Sequence, residues 1–268
     1  MNVERILVAI DASPGSLSAA EAAASLAALL GAELEGLFVE DERLLRLAES
    51  PLAREVDHLT AGLARTESGA MLRGLRLQGI RARQALARIA ERHGIRWSFR
   101  TVRGPVSREI AAAATAAQIV SLGPGGWSTR PQYLLGAAAS AVLEKRRACT
   151  LLLRRRFRVG PPVLVVYDGT DEAQRALDLG RRLVGDDSKR LRILLVGTEQ
   201  DPHIRRLEPV FSRSVTGRVA SAADPGLKRL LSRAHAGVLV VPVSGADGNR
   251  DMLHELLAEV ECPVLLVS

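Results

Sequence analysis

The sequence predicts an α/β fold built from two tandem, doubly wound parallel sheets. Three observations point to this class: short apolar runs alternate with helical patterns, most of those runs are continuously apolar, and one segment recurs. Ile6–Asp11 (ILVAID) returns as Val163–Asp168 (VLVVYD), 157 residues further along. A chain of 268 residues also has the length of about two ordinary domains.

Each predicted element of the first copy follows from its apolar pattern. Apolar runs predict strands at 5–10, 33–39, 96–102, 118–122 and 149–153, and their mostly unbroken character indicates strands covered on both faces. Helical spacing predicts helices in the intervals, at 16–30, 43–94, 105–117 and 132–147. The buried stripe of the longest helix is expected to consist of Leu72, Leu75, Gly79, Ala82, Leu86 and Ile89.

The second copy repeats this order in a shorter form. We predict strands at 162–167, 191–197, 210–216, 237–243 and 263–267, with helices at 171–184, 224–234 and 250–260. The copies are joined by Arg154–Pro162, whose charge run and proline pair are typical of a domain boundary. The predicted domains are therefore residues 1–156 and 157–268.

Basic residues are concentrated in the first copy. The chain has 37 Lys and Arg against 30 Asp and Glu, and between Arg65 and Arg108 eleven arginines accompany only Glu67 and Glu91. This stretch predicts a cationic surface, which is either a solvated face or a docking surface for an acidic protein or a membrane-associated partner. Aromatic residues make up only 3% of the chain, so base stacking, and with it a specific nucleic-acid partner, is not expected.

The two cysteines occupy the same place in the repeat. Cys149 and Cys262 each stand just before an apolar run, which favours buried structural thiols over a redox pair. Two cysteines exclude a four-cysteine zinc site and a disulfide-dense scaffold. No run is apolar and long enough for a signal peptide or a membrane span, so a cytoplasmic protein is expected.

Candidate ligand-binding residues lie at the carboxyl ends of the predicted strands, where open parallel sheets bind their ligands. Asp11 follows the first strand, Val39 ends the second, and a glycine-containing loop, Gly123–Gly136, follows the fourth. Glycines permit close backbone approach, and the helix after the loop offers free N–H groups to an anion. The alternative is a turn kept for its geometry, with no ligand.

The loop glycines carry a family resemblance. Gly123, Gly126 and Gly136 follow the pattern Gly, two residues, Gly, nine residues, Gly of the phosphate loop in universal stress proteins, and the chain resembles the tandem two-domain form of that UspA-like family. The resemblance implies a nucleotide-binding, α-hydrolase-type fold in each copy and ATP or another adenine nucleotide as ligand. It also implies that the last strands of the copies, 150–153 and 264–267, pair to form a pseudo-dimer.

The resemblance assigns roles to individual positions. It places Asp11 and Val39, with Ala9, at the adenine and ribose, and the three loop glycines with Ala137 at the phosphates. The family has Ser or Thr where Ala137 stands, and the missing hydroxyl removes a hydrogen bond of about 0.5–1.5 kcal/mol for a neutral acceptor and more for a charged one.

The second copy departs further from the pattern. Gly245 and Gly248 keep the first spacing, but Ala258 stands where the third glycine belongs. We therefore expect nucleotide binding in the first copy only and a structural role for the second.

Catalytic signatures are missing from the sequence. His254–Ala258 (HELLA) lacks the second histidine of a zinc-binding helix, and neither a nucleophile elbow nor a Walker-type loop occurs. We therefore expect no catalytic residue and no metal site. The predicted function is a non-catalytic, adenine-nucleotide-binding regulator of the stress response. A homodimer of this chain is a further expectation. The alternative is a ligand-free adaptor that regulates a transporter, a kinase or another partner.

Overall fold

The structure is a computed structural model that describes residues 2–49, 54–56, 63–65, 68–123, 137–145, 148–153, 159–198, 200–211, 214–219, 236–243 and 260–268. Its main sheet has ten strands in the order β10-β9-β8-β11-β12-β7-β6-β1-β2-β5, and β3 and β4 form a separate hairpin. The strands are β1 Arg5–Ala9, β2 Glu33–Asp41, β3 Arg54–Val56, β4 Leu63–Arg65, β5 Trp97–Gly104, β6 Ile119–Leu122, β7 Cys149–Leu152, β8 Val163–Tyr167, β9 Leu191–Val196, β10 Val215–Val219, β11 Val238–Pro242 and β12 Val264–Val267.

Helices cover both faces of this sheet. They are α1 Pro14–Leu30, α2 Glu42–Glu49, α3 Ser68–His93, α4 Val106–Ala113, α5 Ala137–Lys145, α6 Asp171–Val184 and α7 Pro202–Phe211. One apolar cluster includes buried residues of α1, α3 and α6, whereas a second cluster on the opposite face includes residues of α4 and α5. The predicted doubly wound α/β class is confirmed.

Two of the predicted elements are wrong. The predicted helix 43–94 is divided into α2, the hairpin β3–β4 and α3. Pro51 lies just beyond α2, where proline lacks the N–H and clashes with the preceding turn of a continuing helix. The predicted strand 210–216 is also displaced, because α7 extends to Phe211 and the strand β10 begins only at Val215. Ile204 and Leu207, buried and one helical turn apart, are the signal of α7 that a search for strands overlooks.

Other predictions have mixed outcomes. The stripe of α3 is confirmed, with Leu75, Gly79, Ala82, Leu86 and Ile89 buried and Leu72 half-buried. The predicted helix 224–234 lies outside the described residues, as do both ends of the predicted helix 132–147 and all of the predicted helix 250–260 except Val260, which is not helical.

The direction of the chain reverses at the boundary between the halves. We call residues 2–153 the first half and residues 159–268 the second half. Strand β7 pairs antiparallel with β12, so that Leu151 stands opposite Leu265 and Thr150 opposite Leu266. The other strand pairs in the ten-stranded sheet are parallel. The carboxyl ends of the strands of the two halves therefore lie at opposite edges of the sheet.

One polar group is buried at this seam. The Thr150 side chain is fully buried, and its hydroxyl oxygen has no hydrogen-bond partner among the residues that the structure describes. A buried hydroxyl without a partner costs about 1–3 kcal/mol relative to its hydration in the unfolded chain.

None of the described helices is both long enough and apolar enough to span a membrane.

Candidate functional site

The sheet order defines one switch point in each half. In the first half the chain moves outward from β1 through β2 to β5, then returns to the other side of β1 with β6 and β7. The reversal between β1 and β6 leaves a crevice beyond the carboxyl ends of these strands, where α/β proteins bind ligands. Asp11, Val39 and Gly123, three of the residues predicted to bind nucleotide, all lie at this edge, each just past or near the end of its strand.

Two apolar residues predicted for the site lie on one face of the sheet. Ala9 is the last residue of β1, and Val39 is near the end of β2. Both are half-buried and pack on the cluster that includes α4 and α5. They leave partly accessible apolar surface beside the crevice, which suits contact with a flat ring.

Asp11 is held in a fixed turn. Its Oδ1 accepts a 2.9 Å hydrogen bond from the backbone N–H of Ser13, and its own N–H donates to Ser16 Oγ at 3.2 Å. Ser13 caps α1 by accepting a hydrogen bond from Ser16 N, and Ala12 between them has a φ of 60°. In the described part of the chain, the second carboxylate oxygen, Oδ2, accepts no hydrogen bond. The turn therefore fixes Asp11 while leaving one charged oxygen for a ligand.

Gln78 joins this site from α3, and the sequence analysis missed it. Its Nε2 donates to the backbone oxygen of Asp11 at 2.9 Å. Gln78 stands three residues after Leu75 and four before Ala82, both buried, so its place on the inner face of α3 was a signal available in the sequence.

Gly123 brings the end of β6 against the start of α1. A Cβ at this position would lie 2.4 Å from the carbonyl oxygen of Gly15 and 2.7 Å from its carbonyl carbon. Nearby, Ser121 Oγ donates to the backbone oxygen of Ala19 at 3.0 Å, which fixes β6 to α1. Only glycine fits this contact, so the beginning of the predicted phosphate loop is also a packing position.

The rest of that loop, residues 124–136, lies outside the described residues. The predicted phosphate contacts of Gly126 and Gly136 therefore stay predictions. Ala137 is the first residue of α5 and is exposed. A hydroxyl at this position would stand at a helix N-terminus, where free N–H groups and the helix dipole favour an anion.

The second half builds a matching turn after its own first strand. Asp168 Oδ1 accepts hydrogen bonds from the backbone N–H of Thr170 at 3.1 Å and from its hydroxyl at 2.6 Å. Thr170 caps α6 as Ser13 caps α1. Burial, with Asp168 and Asp178 nearby, raises the pKa of Tyr167, the residue before Asp168. The two halves therefore share the geometry of this turn.

The cysteines are free thiols. Cys149 is buried and Cys262 half-buried, and burial raises the pKa of each thiol to about 11. Both thiols are protonated at neutral pH, which agrees with the structural role predicted from the sequence.

The arginines of α3 form an exposed basic face beside a cleft. We call Arg73, Arg76, Arg83 and Arg88 the α3 arginines; all four are exposed and form no ion pair within the described part of the chain. Between α3 and β5 lies an open cleft of about 430 Å³, with Phe38 and Phe99 among its lining residues and Arg76 and Arg83 at its α3 side. Exposed Ile80 adds apolar surface to it. Among the described residues, no group of three or more metal-ligating side chains occurs.

The comparison with protein families identifies the chain. The model of the universal stress protein family matches residues 2–153, more than half of the sequence. The chain belongs to the universal stress protein family. A search of curated proteins returned no match.

Solved structures agree on the fold. A universal stress protein from Archaeoglobus fulgidus aligns with 100% of this chain and 99% of its own, at 18% identity and a TM-score of 0.74. A functionally unknown protein from Pseudomonas aeruginosa aligns with 99% of this chain and 92% of its own, at 15% identity and a TM-score of 0.59. A universal stress protein in complex with cAMP is 22% identical, but its TM-score of 0.35, over 57% of this chain and 99% of its own, is too low to support a structural comparison.

Proposed function

We propose that this universal stress protein is a non-catalytic, cytoplasmic regulator that binds an adenine nucleotide in its first half. The observation that carries the proposal is the switch point between β1 and β6, where Asp11 keeps one oxygen, Oδ2, that accepts no hydrogen bond from the described residues, and where Gly123 brings the end of β6 against the start of α1. A carboxylate oxygen can accept hydrogen bonds from the hydroxyl groups of a ribose, and the N-terminus of α5 can offer backbone N–H groups to phosphates.

The remaining parts of the site fit the same ligand. Half-buried Ala9 and Val39 provide an apolar surface for the base, and Gln78 fixes the backbone of Asp11 from α3. Because Ala137 supplies no hydroxyl, we expect affinity below that of a site with Ser or Thr at this position.

Calorimetric titration with ATP tests this proposal. Ala137→Ser should tighten binding about tenfold, because one hydrogen bond to a charged group contributes roughly 1.4 kcal/mol. Asp11→Asn keeps the oxygen that accepts from Ser13 but replaces the free oxygen by a donor, so binding should weaken about tenfold or more.

The matched control is Asp168→Asn, which makes the same change in the turn of the second half and should leave the affinity unchanged. Absence of heat with both the wild type and Ala137→Ser would disprove nucleotide binding. An equal loss of affinity from Asp11→Asn and Asp168→Asn would show that the first half is not the preferred site.

A second function, docking of a partner, is favoured by the cleft beside α3. Phe38, Ile80 and Phe99 supply apolar surface in the cleft, and the one carboxylate among its described lining residues, Glu40, is paired with Arg103. Arg76 and Arg83, which form no ion pair within the described part of the chain, complement an acidic segment with apolar side chains, which we propose as the partner's binding element. The proposal accounts for the sequence-based prediction of a docking surface between Arg65 and Arg108, and it applies whether the chain acts alone or as a homodimer.

Replacing the α3 arginines together with glutamine tests this surface. A labelled peptide of alternating leucine and glutamate should bind the wild type at low salt, lose affinity as salt rises, and fail to bind the quadruple variant, because the attraction depends on guanidinium charge. Fluorescence anisotropy measures the affinity.

Folding of the quadruple variant should be preserved, because the four side chains are exposed. A control replaces Lys189, Arg190, Arg205 and Arg206 with glutamine and removes the same charge from exposed positions of the second half. Equal peptide affinity for the two variants would show that the basic face is merely solvated.

A further inference from the structure

The second half has a crevice equivalent to the candidate nucleotide site. Strand registers establish the equivalence: Ile6 pairs with Leu34 in the first half, and Val163 pairs with Leu191 in the second. Both residues of the second pair stand 157 positions after their counterparts in the first pair. The same offset makes Val196 the counterpart of Val39.

The turns after the first strands correspond in the same way. Asp168 corresponds to Asp11, and Gly169 corresponds to Ala12. Gly169 and Ala12 both have a positive φ, of 84° and 60° respectively. The following residues, Thr170 and Ser13, both cap a helix.

A side chain of the same chain already stands at the ends of β8 and β9, on one side of this second crevice. The ring of His203, near the start of α7, lies over Gly169 so closely that a Cβ there would be 2.3 Å from His203 Cγ. On the other side, His203 Nε2 is 3.4 Å from the backbone oxygen of Val196. The imidazole therefore bridges the two strand ends that correspond to Asp11–Ala12 and Val39.

Other contacts complete the enclosure of the ring. The Tyr167 ring is tilted by 51° to the imidazole, with 6.1 Å between the centroids. A Cβ at Gly197, whose φ is 139°, would lie 2.6 Å from Asp201 Oδ2 and 3.2 Å from His203 Nε2, so a side chain there would crowd both residues. His203 is half-buried among these residues.

The segment before α7 holds the histidine in place. Asp201 Oδ2 accepts a 2.6 Å hydrogen bond from the backbone N–H of Thr198, and Asp201 N donates to the oxygen of Thr198 at 3.1 Å. Next to His203, the side chain of Ile204 is fully buried in the core and fixes α7 to the sheet. The position of the imidazole is thus set from both the loop and the helix.

We propose that the second half contains a binding site for a planar nitrogen heterocycle, and that His203 occupies it as an internal ligand. The ring covers the turn that corresponds to Asp11–Ala12, so we expect a nucleotide to bind only in the first half. The correspondence with a nucleotide site rests on the proposed function. The position of the His203 ring against Gly169 and Val196 is independent of that function.

The test is chemical rescue of His203→Ala by free imidazole. Removing the ring should lower the melting temperature by several degrees and leave a ring-sized space. Millimolar imidazole should then raise the melting temperature of this variant in a saturable way, because a ligand that binds only the folded state stabilises it by mass action. The wild type, whose site is full, should not respond.

Ile204→Ala is the matched control, since it removes a buried side chain from the neighbouring position of the same helix but empties an apolar space. It should lose stability without rescue. An equal response of the two variants to imidazole, or no response of His203→Ala, would overturn the proposal. If His203→Ala does not fold alone, the yield refolded with and without imidazole provides the same comparison.

The outcome is independent of nucleotide binding. Imidazole rescue reports only on the second crevice, whereas the ATP titration of Ala137→Ser and Asp11→Asn reports on the first. Rescue without ATP binding would support the internal ligand and reject the proposed function, and ATP binding without rescue would do the reverse.

Discussion

Gly123→Ala is expected to lower the free energy of unfolding by about 3 kcal/mol or more, at the upper end of the range for overpacked positions. The added Cβ would lie 2.4 Å from the carbonyl oxygen of Gly15, and a backbone oxygen within a helix cannot move aside as the end of a flexible side chain can. Either β6 or the start of α1 has to shift. Denaturant unfolding measures the loss, and ATP affinity should fall with it because both elements border the candidate site.

Gly74→Ala provides the control. Gly74 lies within α3, and a Cβ there has no neighbour within 4 Å. Alanine is a better helix former, so stability should rise by up to about 1 kcal/mol. If Gly123→Ala proved as stable as the wild type, the close contact between β6 and α1 would be refuted.

Leu265→Ala is expected to cost about 2–5 kcal/mol, the range for a fully buried leucine whose removal leaves a cavity. Leu265 lies on β12 opposite Leu151 of β7, and both belong to the apolar cluster that extends through the two halves. Because one sheet and one cluster join the halves, they should unfold in a single transition, which shifts as a whole in the variant. Calorimetry and circular dichroism should report the same midpoint.

A substitution on the neighbouring strand should have the opposite sign. Thr150→Val replaces a buried hydroxyl that lacks a partner among the described residues with a methyl group of similar size, so the free energy of unfolding should rise by about 1 kcal/mol.

For Leu265→Ala, two separate unfolding transitions would contradict a core shared by the two halves.

The sequence predicted most of the sheet because its strands are buried on both faces. Segments such as Val163–Tyr167 and Val238–Pro242 are apolar throughout, and burial of every residue leaves little choice of structure. Elements that have both buried and exposed residues are harder to predict from the sequence. The segment of α7 has polar residues around Ile204 and Leu207, and its apolar end, Val210–Phe211, is typical of a strand when only the sequence is considered.

The candidate site was predictable where it depends on chain-local features. Asp11 and Gly123 follow apolar strands directly, and that position alone places them at the edge of a parallel sheet. Gln78 and His203 were not found because their partners, Asp11 and Gly169, are distant in sequence and are brought near only by the packing of α3 and α7. A contact of this kind leaves no spacing pattern to detect.

Because β7 and β12 belong to one chain, pairing of the two halves does not depend on the protein concentration. Two separate chains that paired through such strands would dissociate on dilution, whereas halves joined by a short linker meet at an effective concentration set by the linker alone. Their association is therefore the same in a cell holding few copies as in one holding many. Two halves that are covalently linked also need not be identical, as the subunits of a homodimer are. One crevice can therefore serve a ligand while His203 stands beside the other.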